Sequence, residues 1–190
     1  MPAEEPKKVA VTNHSKSEHL SKPTVIVGIG ASAGGLEACK TLLSGLTRDS
    51  GLGIVLVVHL DPDHDSLMAE LLHKSSPLAV RQASEGDRVS ADQVYVVPPK
   101  MRLSLEDGVI RLTPLEAEER RNPIDLFFHS LAEDQNQRAV GLILSGNGSD
   151  GTLGLRAIKE RGGLTLVQNP DSAAYDGMPR SALANSPVDR

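Results

Sequence analysis

Ser32, His59 and Asp150 are the residue types from which acyl transfer is built. A hydroxyl attacks a carbonyl, an imidazole takes its proton, and a carboxylate holds the imidazole in tautomer and orientation. Each of the three stands at the end of an apolar run: Ser32 in "GIGASAGGLEA" (28–38), His59 in "GIVLVVHLD", Asp150 in "AVGLILSGNGSDG". Each also has a purely structural reading. Ser32 can cap the helix that follows it, His59 can be a strand-end histidine satisfied by a backbone carbonyl, and Asp150 can cap a helix beginning near Gly151 through an Asx-turn.

The first loop matches two further patterns. Gly28-Ile29-Gly30-Ala31-Ser32-Ala33 fits the dinucleotide-binding form G-x-G-x-x-A, whose partner is an acidic residue about 20 positions on, at the end of the second strand. His59 occupies that strand end, and Asp61 comes later than the pattern wants. Gly30-Ala31-Ser32-Ala33-Gly34 fits the G-x-S-x-G nucleophile elbow, but the order Ser32, His59, Asp150 is not the Ser, acid, His order of α/β-hydrolases. The run "HLDPDHD" offers His59, Asp61, Asp63 and His64 as metal ligands and is faintly similar to the H-x-H-x-D-H run of the metallo-beta-lactamase family. Asp61 replaces its second histidine, while His73 and His129 fall inside predicted helices, so a hydrolytic zinc site is not expected.

The elements that must carry these residues follow from periodicity. "TVIVGIG" and "GIVLVVHLD" read as buried strands, each followed by a helix: "LEACKTLLSGL", with Leu36, Cys39, Leu42 and Leu43 on one face, then "SLMAELLHKS", with Leu67, Leu71 and Leu72. Continuous apolar strands alternating with helices predict an α/β fold, a doubly wound and mostly parallel sheet with helices on both faces. "DQVYVVPP" and "MRLSLEDGVIRLTP" read as short strands of an antiparallel hairpin appendage, with Asp107-Gly108 as its tight turn. In "NPIDLFFHSLAEDQ", Asn122 is the expected N-cap, Pro123 the first helical residue, and Ile124, Phe127, Phe128 and Leu131 an apolar stripe. A second strand-to-glycine-loop arrangement, "AVGLILSGNGSDG", leads into the helix "LGLRAIKERGG" and the strand "LTLVQ".

Bulk composition narrows the class. The 190 residues suit one domain with a real core, and no apolar run approaches membrane-spanning length. A net charge of −5 and only four aromatic residues, none of them Trp, argue against a nucleic-acid surface. Cys39 stands alone, which excludes an intrachain disulfide and suits a reducing cytoplasm, with the thiol as small apolar filler. Residues 1–23 are polar and lack a signal-peptide core, so they are expected to be a disordered tail before a domain spanning 24–190.

With these residues in view, the chain closely resembles the catalytic domain of the CheB-type protein-glutamate methylesterases of bacterial chemotaxis. The similarity rests on "GIGASAGGLEA", "VVHLDPDHDSLMAELL", "ASEGDRV", "YVVPP", "NPIDLFFHSLAE", "AVGLILSGNGSDGTLGLRAIKERGG" and "QNPDSAAYDGMPRSAL", in the family's order from Val25 to Leu183. It implies Ser32 as nucleophile, His59 as base and Asp150 as orienting acid. The implied reaction is hydrolysis of glutamyl methyl esters on methyl-accepting chemoreceptors, with deamidation of receptor glutamines as a related activity and no cofactor or metal. Asn147 and Gly148 are the expected backbone donors to the oxyanion. Position 33 is Ala where many relatives carry Thr, and position 147 is Asn where many carry Met. Family members commonly carry a receiver domain before the esterase; only a polar stretch precedes Thr24 here, an arrangement similar to the esterase module that opens fused methylesterase–methyltransferase proteins. The family also continues beyond "NSPVDR", which implies a domain shortened at that end. The remaining alternatives are a non-catalytic signalling module of the same fold and a dinucleotide-binding domain.

Overall fold

The computed structural model describes residues 21–58 and 67–190. The apolar runs become the strands of one six-stranded parallel sheet: β1 (Val25–Ala31), β2 (Leu52–Val58), β3 (Ala79–Gln82), β4 (Gln93–Val96), β7 (Ala139–Ile143) and β8 (Leu164–Val167). Their order is β3-β4-β2-β1-β7-β8, and every pairing is parallel. β1 is central, with Gly30 opposite Val57 on one side and Ile143 on the other. A separate antiparallel hairpin, β5 (Met101–Glu106) and β6 (Val109–Pro114), turns at Asp107 and Gly108, both with positive φ, as the Asp-Gly signal requires.

Side-chain alternation sends the two faces of the sheet to different helices. On one face Ile29, Ala31, Ile54, Leu56, Val94 and Val96 bury Cys39 and Leu43 of α1 (Gly35–Ser44) and Met68 and Leu72 of α2 (Met68–His73). On the other, Ile26, Val55, Val57, Ala139 and Ile143 pack against α3 (Pro123–Gln135), α4 (Thr152–Glu160), α5 (Gly177–Asn185) and the hairpin. The α3 stripe of Ile124, Phe127, Phe128 and Leu131 is fully buried, as its spacing implies.

This helix lies close because β1 presents glycines to it. A Cβ at Gly28 would come within 2.7 Å of Leu131 Cδ2 and 2.8 Å of Phe127 Cε1, and one at Gly30 would overlap Ile124 Cγ2. The first two glycines of the G-x-G-x-x-A match therefore lie inside a strand and serve helix–sheet packing, not a loop around a pyrophosphate.

Several elements differ from the sequence reading. "QVYV" is not part of the appendage: β4 lies in the main sheet, parallel between β2 and β3. The four-residue edge strand β3 and the helix α5 were not expected, the first because "AVRQ" is short and half polar, the second because it opens on Gly-Met-Pro. Leu67 is exposed, since the short α2 turns Met68 and Leu72 inward, at i and i+4. Asn122 sits at the N-cap of α3, but its side chain makes no capping bond. The described structure begins at Ser21, whose carbonyl accepts from Ala91 N–H (2.9 Å), and Pro23 is buried. Residues 1–20 of the expected tail lie outside the described residues.

The C-terminal residues are tied to the outer edge of β8. Asp189 N–H and Arg190 N–H donate to the Thr165 carbonyl, and Val167 N–H donates to the Arg190 carbonyl (2.8 Å). The Asp189 carboxylate also accepts from Thr165 N–H (3.0 Å) and Lys159 Nζ (2.5 Å).

Candidate active site

In an open parallel sheet, chemistry gathers outside the carboxyl ends of the strands, where neighbouring crossovers leave toward opposite faces. That point here lies between β1 and β7. From β1 the chain enters α1 on one face; from β7 it enters α4 on the other. Ser32 is the first residue after β1, and Asp150 lies on the loop between β7 and α4.

The two loops are hydrogen-bonded together. Leu144 N–H donates to the Gly30 carbonyl (2.9 Å) and Ser32 N–H to the Ser145 carbonyl (3.0 Å), which extends the β1–β7 ladder past the strands and fixes the Ser32 backbone. The turn then closes through Gly35 N–H on the Ser32 carbonyl (2.8 Å). Gly34, with φ of +71°, and not Ser32, occupies the N-cap of α1. The helix-capping reading of Ser32 therefore does not hold.

Ser145, fully buried, ties three loops. Its Oγ donates to the Ala33 carbonyl (2.8 Å) and accepts from Tyr175 N–H (3.0 Å), while its N–H donates to Gln168 Oε1 (2.9 Å). Gly146 follows, its N–H on the Tyr175 carbonyl (2.9 Å) and its carbonyl accepting from Met178 N–H (2.8 Å). A Cβ at Gly146 would lie 3.0 Å from Ser32 Cβ and overlap Met178 Sδ. Ser32 thus lies directly against the loop that carries Asp150.

Asp150 is half-buried and spends both oxygens on the N-terminus of α3. Oδ2 accepts from Ile124 N–H (3.0 Å) and Oδ1 from Asp125 N–H (2.9 Å). The carboxylate therefore does cap a helix, but α3 and not the helix after Gly151, and it takes the place that sequence assigned to the Asn122 side chain. Burial pushes its pKa up to about 6; the α3 amides oppose the shift and the neighbouring Asp125 charge adds to it.

Asn147 and Gly148, the expected oxyanion donors, lie on the same loop between Gly146 and Asp150 and are exposed, Gly148 with φ of +85°. The start of α5 backs them, since a Cβ at Gly177 would stand 3.1 Å from Gly148 N. His59 follows Val58, which pairs in register with Ala31, and lies outside the described residues, as do Asp61, Asp63 and His64. Among the described residues no cluster of three or more His, Cys, Asp or Glu is arranged to hold a metal. Cys39 is fully buried and its thiol is pushed up to about 12 by that burial, so it is core and not a nucleophile.

Sequence reasoning missed Ser145, Gln168, Tyr175 and Asp125. Ser145 carried a weak signal, a second hydroxyl immediately after a buried strand; the others gain their roles only through contacts between distant loops.

A family model described as CheB methylesterase matches residues 27–190. The chain belongs to the CheB methylesterase family. A Pseudomonas fluorescens relative named protein-glutamate methylesterase/protein-glutamine glutaminase 1 is 40% identical over 161 residues, which cover 84% of this chain and 48% of that protein. A Leptospira interrogans protein given the same two activities under a provisional name is 37% identical over 163 residues, covering 85% of this chain and 84% of that one. Among solved structures, the Thermotoga maritima CheB methylesterase catalytic domain superposes with a TM-score of 0.79 at 27% identity, covering 87% of this chain and 90% of the other. The six-stranded parallel sheet and its small hairpin are thus the architecture of a CheB catalytic domain. No helix among the described residues is long and apolar enough to cross a membrane.

Proposed function

We propose that this CheB domain is a serine esterase that removes methyl groups from glutamyl side chains of cytoplasmic chemoreceptor segments, releasing methanol, and deamidates receptor glutamines by the same route. The observation that carries the reading is the placement of Ser32 and Asp150 on the two loops that meet at the switch point of the family's sheet.

Ser32 Oγ attacks the ester carbonyl as His59 accepts its proton. Asp150, held by two amides of α3, fixes the imidazole tautomer and offsets the charge it gains. The oxyanion is received by backbone N–H groups of the 147–148 loop; one such donor typically contributes about 10²–10³ in rate. The tetrahedral species collapses, the C–O bond to the methoxy group breaks, and the proton on His59 leaves with methanol. Water then attacks the acyl-serine, His59 takes a proton from it, and the products are free glutamate and Ser32 with its hydroxyl restored. With glutamine as substrate the same first step expels ammonia.

Replacement of Ser32 by Ala tests the reading. The variant is expected to release no methanol from methylated receptor above background while unfolding at the parent midpoint. Methanol release at the parent rate would overturn the assignment of the nucleophile.

A further inference from the structure

Two acidic residues meet where α3 and α4 begin, and the second is not needed by the chemistry written above. Asp125 lies in the first turn of α3. Its N–H donates to Asp150 Oδ1 (2.9 Å), and its own Oδ1 accepts from Gly154 N–H in the first turn of α4 (2.7 Å). Asp150 and Gly154 are four residues apart on one continuous segment. One residue therefore grips that segment twice, by a donor to the carboxylate and by an acceptor from the turn that follows it. The helices cap each other, Asp150 serving α3 and Asp125 serving α4, each carboxylate at the positive end of the opposite dipole.

A buried carboxylate beside another is costly, and a neutral Asn or Ser would cap α4 without placing like charge next to Asp150. Asp125 is buried, with relative exposure of 8%. Burial raises its pKa, the α4 amides oppose the shift, and His129 on the next turn of α3 opposes it further; the ring Nδ1 of His129 lies 2.7 Å from the Asp125 carbonyl. Among the described residues, the Asp125 charge acts on Asp150, and His129 acts on Asp125.

The geometry points to Asp125 as a positioning residue for the esterase reaction, one that holds the Asp150 segment in direction and places a second carboxylate beside it. The inference rests on the reading of Asp150 as the orienting acid. Without the Asp125 carboxylate the loop after Ser145 keeps its anchors on Tyr175 and Met178 and Asp150 keeps its backbone donor, yet the stretch from Asp150 to Gly154 loses its anchor at Gly154, and a misplacement of about 1 Å in such a group can cost 10²-fold in rate.

The test compares Asp125→Ala, Asp125→Asn and Asp150→Ala, with kcat and KM for methanol release referred to the concentration of folded protein. Asp125→Ala is expected to lower kcat by about 10²-fold with KM little changed. Asp125→Asn, whose amide oxygen still accepts from Gly154, is expected to recover most of that rate and to shift the acid limb of kcat to lower pH, because a negative charge beside Asp150 is gone. A kcat for Asp125→Ala equal to the parent, or an unmoved acid limb in Asp125→Asn, overturns the inference. If Asp125→Ala does not fold, the acid limb of Asp125→Asn decides alone. Asp150→Ala separates the two readings: parent activity there would remove the orienting acid itself, whereas loss of activity there with none in Asp125→Ala would remove only the positioning role.

Discussion

Gly146 shows how tightly the candidate nucleophile is seated. Ser32 Cβ and the Met178 side chain leave no room for a methyl group at that position, so Gly146→Ala must push one of them aside. The expected result is a fall in kcat of about tenfold or more with a small change in thermal midpoint, read by methanol release and by thermal unfolding on the same preparation. The acid limb of the reaction belongs to this scale as well. Asp150 carries a pKa of about 6, above its ordinary value, so it holds its charge above that pH and loses it as pH falls through it. Once protonated it no longer offsets the imidazolium, and the rate is expected to decline below about pH 6; a histidine acting as general base must likewise be unprotonated. A flat pH–rate profile from pH 5 to pH 8 would contradict both assignments. The residue types themselves were legible in the sequence, since Ser32 and Asp150 follow apolar runs that do become adjacent strands. What escaped was the alternative capping, because a strand-end carboxylate that serves a helix 25 residues earlier leaves no local pattern.

At the scale of elements, α3 is the piece that joins the core to the site. Its apolar stripe fills the space that Gly28 and Gly30 leave on β1, and its first two free amides hold Asp150. Phe128→Ala removes a fully buried ring that packs against Phe127, with centroids 5.9 Å apart, and stands beside Gly141 and Gly154. The expected loss of stability is about 3–5 kcal/mol, measured by urea unfolding. A loss below 1 kcal/mol would mean that the helix is not seated as described. Long periodic elements such as α3 and the Asp107-Gly108 hairpin announce themselves in sequence. β3 does not, because a four-residue, half-polar segment has no period to read; β4 is legible as a strand in "DQVYVVPP", but its parallel pairing with the distant β2 leaves no local pattern. The Arg81 guanidinium shows what tertiary context adds: it pairs with Asp87 (2.6 Å) and lies over the Tyr95 ring, joining the β3 edge to β4.

The whole molecule gathers its chemistry at one edge and its acid sensitivity partly at another. Asp189, bound by Lys159 and Thr165, has a pKa lowered to about 2. A lowered value adds stability above the ordinary carboxylate pKa, and that contribution is lost as pH falls toward about 2. Asp189→Asn is therefore expected to flatten the decline of unfolding stability between about pH 4 and pH 2, and an unchanged slope would show that the contacts on β8 contribute nothing measurable. Fold class, sheet winding and the carboxyl-end location of the site all follow from alternating apolar strands and helices. No local pattern encodes the distances of His59 from Ser32 and Asp150. The convergence of the three groups is tested most directly by mapping the adduct of a serine-directed phosphonylating reagent by peptide mass spectrometry. Modification is expected at Ser32 in the parent, with a labelling rate lower by orders of magnitude in both His59→Ala and Asp150→Ala. Modification of a different serine, or parent-rate labelling of Ser32 in either variant, would contradict that convergence.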